Sequence, residues 1–149
     1  MITFSVNNDL GAGLSYLLNL QQRLEEPREF LETVGIILRD SAKERFSTKQ
    51  DPDGDSWEDL QESTKKQKLR TNRSNADNVL VKTGRLGRDI IFDIINNHSV
   101  KVGSVWNYGI HHQFGTRKMA KRSFLGISSD DEFNIRDALN EFLAEQARS

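Results

Sequence analysis

The chain has 149 residues, 36% of them hydrophobic, a formal net charge of -1 and a mean hydropathy of -0.64. That length suits a single domain, 1–149, burying roughly 70% of the surface its unfolded chain exposes, and the near-neutral charge argues against nonspecific nucleic-acid binding by the chain as a whole. Cysteine is absent, which excludes disulfides and thiolate chemistry, and no apolar run approaches the roughly 18 residues of a membrane span. No signal peptide precedes Asn7, so a protein made and kept in a cytosol, or assembled there into something larger, is expected.

Met1 to Val6 alternates, with Ile2, Phe4 and Val6 on one side, and reads as a short strand. Asn8 or Asp9 can cap a helix in which Leu10, Leu14, Leu17, Leu18 and Leu24 form a stripe. Pro27 suits the first turn of a second helix, where Phe30, Leu31, Val34, Ile37, Leu38, Ala42 and Phe46 recur at three and four residues. This is the clearest amphipathic helix in the chain. Pro52 and Gly54 break the pattern. Asp55 or Ser56, each with an acid three residues on (Glu58 and Asp59), then predicts a capped third helix with Trp57 and Leu60 on its apolar face. Residues 70–79 are polar without periodicity and read as a mobile loop.

Thr83-Gly84-Arg85-Leu86 predicts a turn or short helix. Ile90, Phe92 and Ile94 follow, with Ile91 and Ile95 opposite, which predicts a strand covered on both faces. Asn96-Asn97 is a hairpin signal, and His98 to Val102 is the returning strand. A short helix is expected around Asn107 to Gln113. Ser129 with Glu132 predicts a capping box for a last helix to about Ala147, with Ile135, Leu139, Phe142 and Leu143 on its apolar face. The fold class is α+β: amphipathic helices, long ones towards both termini, on a small, mainly antiparallel sheet.

Two patterns invite a chemical reading. Asp51, Asp53, Asp55, Asp59 and Glu62 fall at positions 1, 3, 5, 9 and 12 of a calcium loop, which supports a calcium-responsive binding module as one alternative. Against it, Ser56 stands where the sharp turn wants glycine, Glu58 replaces the usual apolar residue and Pro52 stiffens the loop. An acidic turn followed by a capped helix accounts for the same residues without a metal. The adjacent His111 and His112 point in different directions on any regular element, so one packed and one exposed is the expected arrangement. Ser104, Ser123 and Ser128 lie in no nucleophile-elbow context, and no glycine-rich phosphate cradle is present. No enzyme signature and no cofactor motif emerges.

The stretch from Val102 to Ile127 sets Trp106, Tyr108, Phe114 and Phe124 among glycines and a basic run, Arg117, Lys118, Lys121 and Arg122. Aromatic anchors with a basic rim suit a protein interface, whose hot spots favour Trp, Tyr and Arg. These eight residues are the predicted contact residues. The basic residues of 65–88 and 117–122 also leave nucleic-acid binding as a further alternative. Lys65 to Arg88 is strongly basic and the final helix acidic, so in a homo-oligomer the basic face of one copy can meet the acidic face of the next.

Three blocks carry a resemblance. They are Asp51-Pro52-Asp53-Gly54-Asp55-Ser56-Trp57-Glu58-Asp59-Leu60, Leu80-Val81-Lys82-Thr83-Gly84-Arg85-Leu86, and Val102-Gly103 followed by Tyr108 to Thr116 and Arg122 to Gly126. In this order and spacing, over about Leu31 to Ile127, the chain resembles the phage virion morphogenesis family, the tail-completion proteins of contractile-tailed phages and prophages. Gly109 stands where the family often has alanine, Ser123 where it often has proline, and Gly87 and Asp89 depart from the usual pattern. The resemblance implies a small α+β subunit that forms a ring, with a hexamer expected, completes the tail and lets it join the capsid. Its implied partners are itself and the tail and head–tail connector proteins. Its implied location is the host cytoplasm during assembly and then the tail or neck of the virion. It also implies that the Trp57 and Tyr108–Phe114 blocks brace the body, that Gly115–Arg122 is an exposed contact arm, and that no catalytic residue transfers.

Overall fold

A computed structural model describes residues 2–5, 27–71, 85–97 and 99–148. In chain order these form β1 (Ile2–Ser5), α1 (Arg28–Thr48), α2 (Glu62–Thr71), α3 (Arg85–Arg88), β2 (Ile90–Ile95), β3 (Ser99–Ser104), α4 (Gly109–Phe114) and α5 (Ser129–Arg148). The helix expected from Asn8 to Leu24, and most of the loop expected over 70–79, lie outside the described residues; Arg70 and Thr71 belong to α2.

The strands make one antiparallel sheet in the order β1-β3-β2, with Ile2 opposite Ser104 and Phe92 opposite Val102. Asn96 and Asn97 take left-handed backbone conformations (φ 53° and 58°) at the β2–β3 turn, which their short polar side chains tolerate. Ile90, Val100, Val102 and Ser104 point into the core. Ile91 is exposed, as is Asp93, so β2 is covered chiefly on one face and the expectation of cover on both is corrected. A run of isoleucines reads alike in either case, because periodicity alone does not report which face a helix reaches.

Helix α1 supplies that cover. Leu31, Val34, Leu38 and Ala42 are buried at helical spacing, and Phe30, Ile37 and Phe46 pack at the edge of the same core. Gly35 lets the helix backbone approach the sheet: a Cβ there would lie 2.3 Å from the Phe92 ring. Helix α5 lies along α1 and adds Ile135, Leu139 and Phe142, with the Phe142 ring 5.8 Å from Phe30. Lys49 ends α1 in a left-handed conformation and returns its N–H to the Arg45 carbonyl at 2.8 Å.

Two helix starts differ from expectation. Trp57 and Leu60 precede α2, which opens only at Glu62. The Glu58 and Asp59 carbonyls accept hydrogen bonds from Arg122 (2.8 and 3.0 Å), and the Trp57 N–H donates to Lys49 O at 2.7 Å, so this backbone is tied to distant chain before a helix can begin. The α5 capping box is Ser128 with Asp131, not Ser129 with Glu132: Asp131 N–H donates to Ser128 Oγ (3.0 Å) and Ser128 N–H to Asp131 Oδ2 (2.9 Å). That register turns Asp131 inward onto Arg45 and leaves Glu132 to pair with Arg136 at the surface.

Candidate functional site

The chain that leaves β3 builds a projecting hairpin and then straps itself across the body. Ser104, fully buried, accepts the Trp106 N–H on its hydroxyl at 3.1 Å. The Trp106 indole N–H donates to Asp89 at 2.8 Å while the Arg85 guanidinium sits 5.6 Å over its ring. That indole hydrogen bond, with the nearby Arg88 and Arg85, holds the Asp89 carboxyl below its ordinary pKa. Tyr108 stacks on Trp106 at 6.0 Å and opens α4, along which Tyr108, Ile110 and Phe114 stay exposed, Phe114 at 67%.

Gly115 ends α4 at φ 73°, and a Cβ there would meet the Lys121 backbone N at 3.0 Å, so only glycine closes the base of the hairpin. Thr116 and Met119 pair across it, Thr116 N–H to Met119 O at 2.9 Å, and the Thr116 hydroxyl accepts the Met119 N–H at 3.1 Å. Arg117 and Lys118 form the tip, and Lys121 lies at the base; all three are exposed. None of the three makes an ion pair with another described residue.

Two residues expected at the contact surface are interior, which corrects that assignment. Arg122 is 7% exposed, its guanidinium donating to Glu58 and Asp59 carbonyls and its own N–H to His112 O at 2.8 Å. Phe124 is 0% exposed and packs 5.3 Å from the Phe46 ring. Trp106 is half-buried. The exposed members of the predicted set are therefore Tyr108, Phe114, Arg117, Lys118 and Lys121.

Two side chains hold the strap that follows. The Gln113 amide accepts the Phe124 and Leu125 N–H groups on Oε1 (3.1 and 3.0 Å) and donates to Leu125 O at 3.0 Å, replacing a strand partner. Arg45 donates to Phe124 O (2.9 Å), Gly126 O (3.3 Å), Ser41 Oγ (3.0 Å) and Asp131 Oδ2 (2.8 Å). Burial lowers the Arg45 pKa, and the Asp131 carboxylate pulls it back towards its ordinary value. Neither residue was singled out from the sequence. The available signal was a lone arginine between Ala42 and Phe46 on the apolar face of α1.

The acidic turn is held together by its own backbone. Asp51 Oδ1 accepts the N–H groups of Asp53 and Asp55, both at 2.9 Å, and Gly54 sits at φ 90°. The Trp57 indole N–H donates to Ser123 O at 2.9 Å and its ring meets Phe46 edge-on, which anchors the turn to the strap. Asp59 is engaged by Lys65 at 2.8 Å and by the Leu60 N–H, and these bonds lower its pKa. Among the described residues no group of three or more His, Asp or Glu side chains is placed to hold a metal ion, and no helix is long and apolar enough to cross a membrane. His111 is exposed and His112 half-buried. Loss of solvent, then the positive fields of Arg122 and His111, pull His112 down to about 4, and its Nδ1 has no hydrogen-bond partner among the described residues.

A sequence profile of the phage virion morphogenesis family matches residues 9–144. The chain belongs to that family. It is 33% identical over 119 residues, covering 79% of this chain and 80% of the relative, to a protein of Haemophilus influenzae described as Mu-like prophage FluMu G protein 1. No solved structure matches the chain. In this family member the first and third of the blocks that carry the resemblance meet in space, while residues 80–84 of the second lie outside the described residues: Trp57 ties the acidic turn to Ser123, Gln113 holds Phe124 and Leu125, and Arg122 holds Glu58 and Asp59. A role in phage morphogenesis follows from membership.

Proposed function

We propose that this chain is a non-enzymatic assembly subunit that completes the phage tail and helps join it to the head, closing into a ring through contacts between copies. On this reading it works in the host cytoplasm during assembly and stays in the tail or neck of the virion. The observation that carries the proposal is the braced hairpin. Its three exposed cations, none ion-paired with another described residue, accompany exposed Phe114 and Tyr108, while the polar side chains around it are committed to holding backbone. A rigid arm presenting an aromatic anchor and a basic tip is what a protein contact requires, because ordering it beforehand lowers the entropy lost on docking.

The test is the triple variant Arg117→Glu, Lys118→Glu, Lys121→Glu in the phage or prophage that encodes the chain. Circular dichroism should show a folded protein, since all three side chains are exposed, while electron microscopy should show separate heads and tails. A normal yield of joined particles would reject the proposal. A variant that still assembles tails but fails only on adding DNA to the particle would point to nucleic acid instead.

A further inference from the structure

An open cleft of about 710 Å³ lies between α1, the 50–54 turn and the start of α5. Ile37 and Phe133 give it apolar walls, Phe133 being 70% exposed. Glu44, Asp51, Asp53 and Asp130 line it, and none of these four makes an ion pair with another described residue. Arg45, the cation among its lining residues, is bound to Asp131. The cleft is therefore a mainly polar groove in which Ile37 and Phe133 are apolar patches and four carboxylates form no ion pair with a described residue. The hairpin is its complement. No acidic residue occurs between Asp93 and Asp130, so the hairpin and the helix beside it carry positive charge alone.

We propose that the Arg117–Lys118 hairpin of one copy docks in this cleft on the next copy, with Phe114 or Met119 against Phe133 and Ile37 and the cations facing Glu44, Asp53 and Asp130. This rests on the reading that copies of the chain assemble with one another. No hairpin residue lines the cleft of its own chain, so the two surfaces are distinct and the contact is head-to-tail. A contact of that type propagates from copy to copy and closes into a ring when the rotation allows. The contact also accounts for the ordered acidic turn, in which Asp51 fixes the backbone that presents Asp53 to the neighbour.

Two variants test it. One reverses the hairpin (Arg117→Glu, Lys118→Glu, Lys121→Glu) and the other the cleft (Glu44→Lys, Asp53→Lys, Asp130→Lys). Each alone places like charges at every contact, so sedimentation should show self-association weakened about tenfold or more relative to the parent chain at low salt. Mixed in equal amounts they should associate again, since each reversed hairpin meets a reversed cleft and each unchanged hairpin an unchanged one. Failure of the mixture to recover, or variants that associate as the parent does, would overturn the contact. Because the chain has no cysteine, mixing Lys118→Cys with Asp53→Cys chains gives a second readout, expected to be a disulfide-linked dimer under mild oxidation. No cross-chain disulfide between the Lys118→Cys and Asp53→Cys chains would also overturn it. If the hairpin variant blocks particle joining and the cleft variant does not, the docking inference fails and the assembly function stands. If neither blocks joining, both fail.

Discussion

Replacing Arg45 with methionine removes a guanidinium that hydrogen-bonds α1 both to the strap and to α5. Arg45 is 5% exposed and its partner Asp131 3% exposed. After the change, the Asp131 carboxylate keeps the Ser128 N–H but loses its counter-charge, and the Phe124 and Gly126 carbonyls lose their donor. Breaking a buried pair by removing one partner costs about 3–5 kcal/mol, against a total stability of roughly 5–15 kcal/mol for a domain. We expect a loss of about 4 kcal/mol, read as a fall in melting temperature on the order of 10 °C. Asp131→Asn should cost less, because the amide oxygen still accepts from Arg45 or Ser128. The double variant should cost less than the sum of the two, with a coupling of about 1–3 kcal/mol. Urea denaturation of all four proteins measures this. The strap should also loosen locally, so limited trypsin should cut after Lys121 and Arg122 faster in Arg45→Met than in the parent. An Arg45→Met protein within about 1 kcal/mol of the parent, with additive single changes, would refute the reasoning.

Gly35→Ala sets two effects against each other. Alanine favours a helix interior by about 1 kcal/mol over glycine, but its Cβ would sit 2.3 Å from the Phe92 ring, and overpacking of that kind costs about 1–3 kcal/mol. A net loss is expected in thermal melts, and a stabilised variant would show that Phe92 moves aside freely. His112 gives a pH signature. Its pKa is depressed from 6.5 to about 4 in the folded chain, so the unfolded chain binds the proton first, and the stability present above pH 6.5 is lost as pH falls towards 4. Full weight would be roughly 3 kcal/mol, and the partial exposure of the ring reduces this to about 2 kcal/mol. The difference in denaturation free energy between the parent and His112→Gln should shrink or reverse over that window; a constant difference would mean that His112 titrates normally.

Regular elements were legible where a short pattern fixes them. The three- and four-residue spacing of Leu31, Val34, Leu38 and Ala42 marks the buried face of α1, and Asn96-Asn97 marks the turn because few residues accept left-handed backbone. Helix α4 and the apolar face of α5 followed from the same kind of signal. The candidate site was legible in composition but not in role. Trp106, Tyr108, Phe114 and Phe124 look equivalent in sequence, yet Phe114 stands in solvent and Phe124 is in the centre of the core. Arg122 and Arg117 likewise differ only in what lies across from them.

The residue order alone determined the α+β class and the positions of the amphipathic faces, because these depend on local spacing, and the family, because its motif blocks recur in a fixed order along the chain. Tertiary structure decided which aromatic and basic side chains remain outside, where α2 can begin and which acid faces Arg45. Those outcomes turn on partners such as Glu58 for Arg122 and Asp131 for Arg45, which lie more than sixty residues away along the chain. A buried guanidinium must find acceptors wherever the fold supplies them, and no local pattern records that need.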